Sequence, residues 1–164
     1  MMPATIEEQI EQIAFNLKQH HLKVATAESC TGGGLGYWLT SLPGSSVWFE
    51  RGFITYSNEA KIAMLGINPS VIRTFGAVSE ETAREMAIGA LTQSRADISL
   101  AITGIAGPEG GTTEKPVGTV WFAWATKKGL PQAEMEVFSG NRQTIRSLAI
   151  NKALAYLLGL SLSF

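Results

Sequence analysis

Hydrophobic positions along the chain switch between helical spacing and short continuous apolar runs, a pattern typical of helices that alternate with buried strands. At the amino end, Thr5 and Glu8 have the spacing of a capping box. Apolar residues then recur at helical spacing: Ile6, Ile10, Ile13, Ala14 and Leu17. The run 22–27 predicts a buried strand, and a second helix is predicted from Leu35 to the Pro-Gly pair at 43–44.

The middle of the chain predicts one strand and three helices. Residues 47–57 are rich in aromatic and β-branched side chains, so we expect a strand that ends near Tyr56. Ser57, Asn68 and Ser79 have the right positions to cap helices that begin just after them.

The last third predicts a buried strand at 96–103, a hairpin made of 116–125 and 133–138, and a final helix over 141–158. In that helix we expect five residues to face the core: Ile145, Leu148, Ala149, Leu154 and Leu157. Strands that alternate with helices, plus one hairpin, favour the α/β class. The expected architecture is a three-layer α/β/α sandwich with a mostly parallel, mixed central sheet, formed by a single domain over residues 1–164.

Composition narrows the function classes. Lys and Arg number 13 against 14 Asp and Glu, so no broad cationic face is available and nucleic acid is not an expected partner. The lone Cys30 excludes an intramolecular disulfide, and two histidines cannot supply a metal cluster. Neither a signal sequence at the amino end nor an apolar stretch near ~20 residues is present, so no membrane association and a cytoplasmic location are expected.

Candidate chemistry begins where the first strand meets the second helix, in AESCTGGG at 27–34. Ser29 would lie at the carboxyl end of the strand, and the first N–H groups of the following turn would lack intrahelical partners. A hydroxyl beside unpaired donors suits acyl transfer, because the tetrahedral intermediate places negative charge on an oxygen. The alternative is that Ser29 only caps the helix.

In α/β sheets the carboxyl ends of parallel strands share one rim, so the loops after residues 27, 56 and 103 are expected to meet there. Ser29, Tyr56 and Lys61 would then converge. A lysine becomes a base for serine if burial and a helix start lower its pKa from about 10.4. The Tyr56 phenol could hydrogen-bond the amine or relay a proton. Alternatively, Lys61 is a surface lysine and Tyr56 an ordinary aromatic residue.

Other rim features suit a polar ligand. The glycine-rich loop 103–111 allows close backbone approach, although a surface hairpin loop has the same composition. Arg142, at the start of the last helix, could bind a phosphate or simply face solvent. Cys30 is better explained as a packed thiol than as a nucleophile. Glu28 could orient a ring or a lysine, or pair with solvent.

Motifs in a fixed order make a more specific pattern than any one of them. They are AESCTGG at 27–33, GFITYSNEAK at 52–61, GAVS at 76–79, TGIAGP at 103–108 with GG at 110–111, KPVGTV at 115–120, and FSGNR at 138–142. Together they resemble the CinA carboxyl-terminal domain family over nearly the whole chain. Members of that family act as nicotinamide-nucleotide amidohydrolases. The resemblance implies hydrolysis of the carboxamide of nicotinamide mononucleotide to nicotinate mononucleotide and ammonia, with no metal or organic cofactor.

The resemblance also implies roles for particular residues. Ser29 would be the nucleophile, Lys61 its base and Tyr56 a helper, and the N–H groups after Ser29 would form the oxyanion hole. Residues implied to bind substrate are Cys30, Thr31, Gly32, Gly33, Thr103, Gly104, Ile105, Ala106, Gly107 and Arg142. The small molecule is the expected partner, together with a second copy of the chain in a homodimer.

Two departures and two alternatives accompany the resemblance. Larger CinA proteins carry a separate amino-terminal domain, for which 164 residues leave no room, so a stand-alone amidase is expected. Gly34 and Gly36 make the start of the second helix unusually rich in glycine. One alternative is a non-catalytic pyridine-nucleotide-binding paralogue linked to competence or DNA damage. The other is a serine–lysine amidase that acts on a different amide.

Overall fold

A computed structural model describes residues 4–164 and contains a five-stranded sheet between two layers of helices. The strands are β1 (Val24–Glu28), β2 (Phe49–Ile54), β3 (Ile98–Gly104), β4 (Thr119–Thr126) and β5 (Gln132–Val137). The helices are α1 (Ile6–Gln19), α2 (Gly34–Leu39), α3 (Asn58–Leu65), α4 (Pro69–Phe75), α5 (Glu80–Thr92) and α6 (Arg142–Ser161). Residues 1–3 lie outside this range, and they are part of the amino-terminal segment that is expected to lack a signal sequence.

The sheet has the strand order β2-β1-β3-β4-β5. β1 pairs in parallel with both β2 and β3, whereas β4 is antiparallel to β3 and β5 is antiparallel to β4. The expected mixed sheet is therefore confirmed, with β4 as the strand that runs against the other four. Because β1, β2 and β3 share one direction, the segments that follow them emerge at the same edge.

Both faces of the sheet are covered, which explains why β1 is buried at every position. α1, α2 and α6 pack on one face, and the core there includes Val24, Leu100 and Phe122. α5, with α3 and α4 beside it, packs on the other face against small residues such as Ala27 and Ala101. The three-layer arrangement expected from the sequence is confirmed.

Most helix starts lie where the capping residues predict them. The Thr5 hydroxyl accepts a bond from the Glu8 N–H, and the Glu8 carboxylate accepts one from the Thr5 N–H. Ser57, Asn68 and Ser79 cap α3, α4 and α5 through side-chain oxygens that accept backbone N–H groups.

Three expectations need correction. The second helix, predicted to run as far as residues 43–44, ends at Leu39. The predicted strand 47–57 is shorter, because a 3-10 turn at Ser45–Val47 precedes β2 and the chain leaves the ladder after Ile54. Leu148 does not face the core: it is 37% exposed. The buried stripe of α6 instead includes Ile145 and Ala149, and one residue along a helix turns the side chain by about 100° away from that stripe.

Within residues 4–164, none of the helices combines the length and the apolar character needed to cross a bilayer.

Candidate active site

Ser29 is the first residue after β1, at the edge where the three parallel strands end. Its N–H donates to the carbonyl oxygen of Ile102 in β3 at 2.9 Å, so its backbone is tied to the centre of the sheet. Its side chain is buried, with 8% of the residue exposed.

Residues 29–33 form a tight turn, which we call the serine turn. The Ser29 carbonyl accepts from the Gly32 N–H at 3.0 Å, and the Thr31 carbonyl accepts from the Gly34 N–H at 3.0 Å. Gly32 and Gly33 have φ angles of 57° and 96°, a region that side chains disfavour. The glycines therefore let the chain turn sharply from β1 into α2.

Lys61 lies in the first half of α3 and is 1% exposed. Its Nζ is 3.1 Å from the Oγ of Ser29 and donates to the carbonyl oxygen of Thr55 at 2.8 Å. Thr55 is itself held, because its N–H donates to the Glu28 carbonyl at 2.8 Å. Burial lowers the pKa of Lys61, and the neighbouring Cys30 opposes that shift. The structure thus brings the expected nucleophile and base together.

Ser29 and Lys61 line a cavity of about 310 Å³. The predicted loop residues Thr103, Gly104, Ile105, Ala106 and Gly107 all line it, as do Cys30, Tyr56 and Arg142. Glu109 and Gly110, from the loop 103–111 considered above, line it too. Three further lining residues were not assigned to the site from the sequence: Asn58, Ala77 and Val78. Five separate segments of the chain therefore meet at one edge of the sheet.

Tyr56 does not make the bond expected of it. Its phenol accepts from Arg142 Nη2 at 3.0 Å, and no bond to Lys61 is present within residues 4–164. Tyr56 is 60% exposed, whereas the amine of Lys61 is buried. Arg142 also donates to the Gly107 carbonyl at 2.9 Å, so it links Tyr56 to the glycine-rich loop.

Thr31, Gly32 and Gly33, expected to bind substrate, are absent from the cavity lining. The Thr31 side chain is turned away, since its hydroxyl donates to Glu28 Oε1 at 2.6 Å. The Gly32 N–H is already bonded to Ser29. Cys30 does line the cavity, and burial raises its pKa to about 11, as befits a packed thiol.

Glu28 and Arg146 are polar contacts of the serine turn whose roles sequence reasoning did not find. Glu28 is 2% exposed and accepts from the N–H groups of Leu35 and Gly36, at 2.9 and 3.0 Å. Glu28 therefore supplies hydrogen-bond acceptors for the N–H groups at the start of α2, where the N-cap residue is a glycine and has no side chain to do so. An acidic residue inside a buried strand was the available signal, because such a group needs partners.

Arg146 lies one helical turn after Arg142 in α6. Its Nε donates to the Cys30 carbonyl at 3.1 Å and its Nη2 to the Thr31 carbonyl at 3.4 Å. Arg142 and Arg146 are four residues apart and so lie on the same face of the helix. This spacing was the signal in the sequence that Arg146 also faces the site.

No group of three or more His, Cys, Asp or Glu side chains in the described part of the chain is arranged to hold a metal ion. Chemically, the site offers a buried serine hydroxyl, an amine beside it, and a cationic residue at the cavity wall. The fold and the site define an α/β protein with a serine–lysine pair at the carboxyl edge of its parallel strands.

Residues 6–160 match the sequence profile described as the CinA C-terminal domain, and the chain belongs to this family. It is 54% identical over 144 residues to the nicotinamide-nucleotide amidohydrolase PncC of Escherichia coli K12, covering 88% of this chain and 87% of that protein. It is 49% identical to a CinA-like protein of Akkermansia muciniphila, where the match covers 89% of this chain and 35% of the longer relative.

A solved structure shares the fold closely. The competence/damage inducible protein CihA of Agrobacterium tumefaciens superposes with a TM-score of 0.92 at 45% identity, covering 98% of each chain. The resemblance inferred from ordered motifs is thereby confirmed at the level of both sequence and fold.

Proposed function

We propose that this protein hydrolyses the carboxamide of nicotinamide mononucleotide to nicotinate mononucleotide and ammonia. The observation that carries the proposal is the 3.1 Å contact between Lys61 Nζ and Ser29 Oγ inside a cavity. The identity of 54% to a protein named nicotinamide-nucleotide amidohydrolase supports the choice of substrate.

In the first step, the neutral amine of Lys61 takes the proton of the Ser29 hydroxyl while Oγ attacks the carboxamide carbon. Burial favours this role, because it lowers the pKa of Lys61 and so increases the fraction of neutral amine. The Thr55 carbonyl accepts a hydrogen bond from the same amine. This bond orients the lone pair of the Lys61 nitrogen toward the serine.

The carbonyl oxygen becomes negatively charged in the tetrahedral intermediate and needs fixed donors. The Gly32 N–H is committed to the Ser29 carbonyl. Within residues 4–164, the N–H groups of Cys30 and Thr31 make no hydrogen bond to another residue. We therefore assign the oxyanion hole to these two N–H groups.

The intermediate collapses when the carbon–nitrogen bond breaks and the Lys61 ammonium gives its proton to the leaving nitrogen, which departs as ammonia. An ester between Ser29 and the nicotinoyl group remains. Lys61 then takes a proton from water, whose oxygen attacks the ester carbonyl. Ser29 recovers its proton as the carboxylic acid leaves.

Arg142 is our candidate for the phosphate of the mononucleotide, because a guanidinium binds phosphate through charge-assisted hydrogen bonds. It would exchange its bonds to Gly107 and Tyr56 for the phosphate. Thr103, Gly104, Ile105 and Ala106 would contact the ring and ribose from the loop.

The experiment is ammonia release from nicotinamide mononucleotide by the purified protein in the presence of a metal chelator. Ser29→Ala should lower the rate by at least about 10⁴-fold, because the attacking atom is lost. Ser46→Ala is the matched control, because it changes an exposed serine whose side chain makes no hydrogen bond within residues 4–164. Release from the Ser29→Ala protein would contradict the assignment of the nucleophile. A folded wild type that releases no ammonia would favour a pyridine-nucleotide-binding protein.

We also propose a homodimer in the cytoplasm. The homodimer rests on the family resemblance, and the location rests on a composition with a single, buried cysteine. Light scattering of the purified protein tests the first, and cell fractionation tests the second.

A further inference from the structure

Arg146 is held against the backbone of the serine turn rather than against a carboxylate. Among the described residues it forms no salt bridge, and its hydrogen bonds go to the carbonyl oxygens of Cys30 and Thr31. A Cβ added to Gly32 would lie 3.4 Å from the Arg146 guanidinium, an ordinary contact distance, so the φ of 57° rather than the arginine favours glycine at this position. Arg146 does not line the cavity, whereas Ser29 and Cys30 do.

Peptide geometry links this contact to the reaction. A trans peptide is planar, with its C=O and N–H pointing in opposite directions. Arg146 holds the carbonyl of the Cys30–Thr31 peptide, so the Thr31 N–H must point away from the guanidinium. The Ser29 carbonyl is held by Gly32 in the same way, which directs the Cys30 N–H away from that bond.

We propose that Arg146 is a positioning residue, which aims the Thr31 N–H at the tetrahedral intermediate by holding the Cys30 carbonyl. Its second contact, to the Thr31 carbonyl, steadies the next peptide of the serine turn, while the Cys30 N–H is directed by the bond between Gly32 and the Ser29 carbonyl. The choice of substrate in this inference rests on the proposed function, whereas the contacts of Arg146 do not depend on it. The positive charge of Arg146 is also felt at this turn, because it opposes the burial-driven rise in the pKa of Cys30. Glu28 also restrains the serine turn, because its carboxylate accepts a hydrogen bond from the Thr31 hydroxyl.

Two variants and one control test the proposal. Arg146→Met removes both donors and keeps an unbranched side chain. Arg146→Lys keeps the charge and can reach one carbonyl. Arg73→Met removes an exposed arginine that has no described hydrogen bond and serves as the control.

Two reactions are measured. The first is ammonia release from nicotinamide mononucleotide. The second is acetylation of Ser29 by p-nitrophenyl acetate, corrected for the rate of Ser29→Ala. In the second reaction the Ser29 oxygen bonds to the acetyl carbon, p-nitrophenolate leaves, and Lys61 takes the serine proton. This reaction needs the oxyanion donors but not the nucleotide.

For Arg146→Met we expect kcat to fall about tenfold to hundredfold, somewhat less than the loss of a whole oxyanion donor, with KM within about threefold of wild type. Acetylation should fall by a similar factor. Arg146→Lys should recover part of both losses, and Arg73→Met should match wild type.

A raised KM with an unchanged kcat would overturn the proposal, because Arg146 would then bind substrate. A lowered melting temperature with both rates unchanged would also overturn it, leaving a purely structural role. If wild type releases no ammonia but its Ser29 acetylation falls in Arg146→Met, the proposed function fails and the positioning role stands. If wild-type Ser29 is acetylated no faster than background, the positioning proposal fails, and ammonia release alone decides the proposed function.

Discussion

The two sides of the cavity are built in different ways. The serine turn is short: Ile102 and Arg146 hold its backbone, and Glu28 holds the Thr31 side chain. The opposite side is a long loop between β3 and β4, exposed at every residue from 108 to 114. Two long side chains hold that loop: Arg142 at the Gly107 carbonyl, and Lys115 at the Phe75 carbonyl at 2.8 Å.

This contrast separates two tasks. Atoms that react need to be held within fractions of an ångström, and short backbone restraints provide such precision. Atoms that recognise substrate need to exchange partners when it arrives, and a guanidinium on a flexible side chain can do so. Changes on the turn side should therefore alter kcat or stability, and changes on the loop side should alter KM.

After the loss of the nucleophile itself, the largest effect is expected from Lys61→Met, which removes the base beside the serine turn. We expect kcat for ammonia release to fall by about 10²- to 10⁴-fold. In the wild type, kcat/KM should rise with pH as Lys61 loses its proton, and burial places that rise below the usual lysine range. The residual rate of Lys61→Met should lack this rise. Lys18→Met, at an exposed lysine, is the control. A rise that persists in Lys61→Met would assign the base to another group.

The same lysine makes a prediction about stability. Its pKa is lower in the folded protein than in the unfolded chain, so between the two values the unfolded state binds more protons. Stability from this group therefore increases as pH rises through the folded pKa, by at most about 1.4 kcal/mol per pH unit. Urea unfolding from pH 7 to pH 10 should show the wild type gaining stability relative to Lys61→Met. Parallel curves would mean that Lys61 keeps its proton in the folded protein.

An intermediate effect is expected from Glu28→Gln. The amide keeps the shape but offers one acceptor oxygen where the carboxylate offers two, so one N–H at the start of α2 loses its partner. We expect a loss of about 1–3 kcal/mol in the free energy of unfolding and a lower kcat, because the serine turn loosens. Urea unfolding measures the first and ammonia release the second. Glu11→Gln, an exposed change in α1, should alter neither.

On the loop side, Arg142→Ala should mainly raise KM. A lost charge-assisted contact to phosphate corresponds to about a tenfold to hundredfold change in KM for the mononucleotide. The KM for nicotinamide riboside, which has no phosphate, should change much less. Equal losses for both substrates would show that Arg142 does not read the phosphate.

The smallest effect is expected from Tyr56→Phe, which removes the acceptor for Arg142 and leaves Lys61 untouched. One neutral hydrogen-bond acceptor corresponds to about a twofold to tenfold change, and we expect it in KM. A loss confined to kcat would instead support the proton-transfer role first considered for this phenol.

Much of this arrangement could be predicted from the sequence. Apolar runs and capping residues predicted every helix and strand, with small errors at the ends. The proximity of Ser29 and Lys61 could be predicted because they follow β1 and β2, which are parallel strands. Segments that follow parallel strands lie at the same edge of the sheet. The direction of the Tyr56 side chain could not be predicted in this way, because Tyr56 lies beyond β2, where no ladder fixes the side-chain direction.

The supports of the turn were harder to predict for a different reason. Glu28 and Arg146 bind backbone N–H and carbonyl groups. A sequence pattern gives only the side chains of their partners, so it does not reveal these contacts. The partners of Arg146 are carbonyls more than a hundred positions earlier in the chain. Such contacts depend on how α6 docks on α2, which periodicity does not specify.

The bond from Ser29 to Ile102 has a consequence for synthesis on the ribosome. A nascent chain that has emerged only as far as α5 already contains the serine and the lysine, but it lacks the β3 carbonyl that restrains the serine backbone. Arg146 emerges later still, near the end of translation. The reactive groups are therefore made early and aligned last, so a truncated translation product would carry the nucleophile without the geometry that makes it a hydrolase.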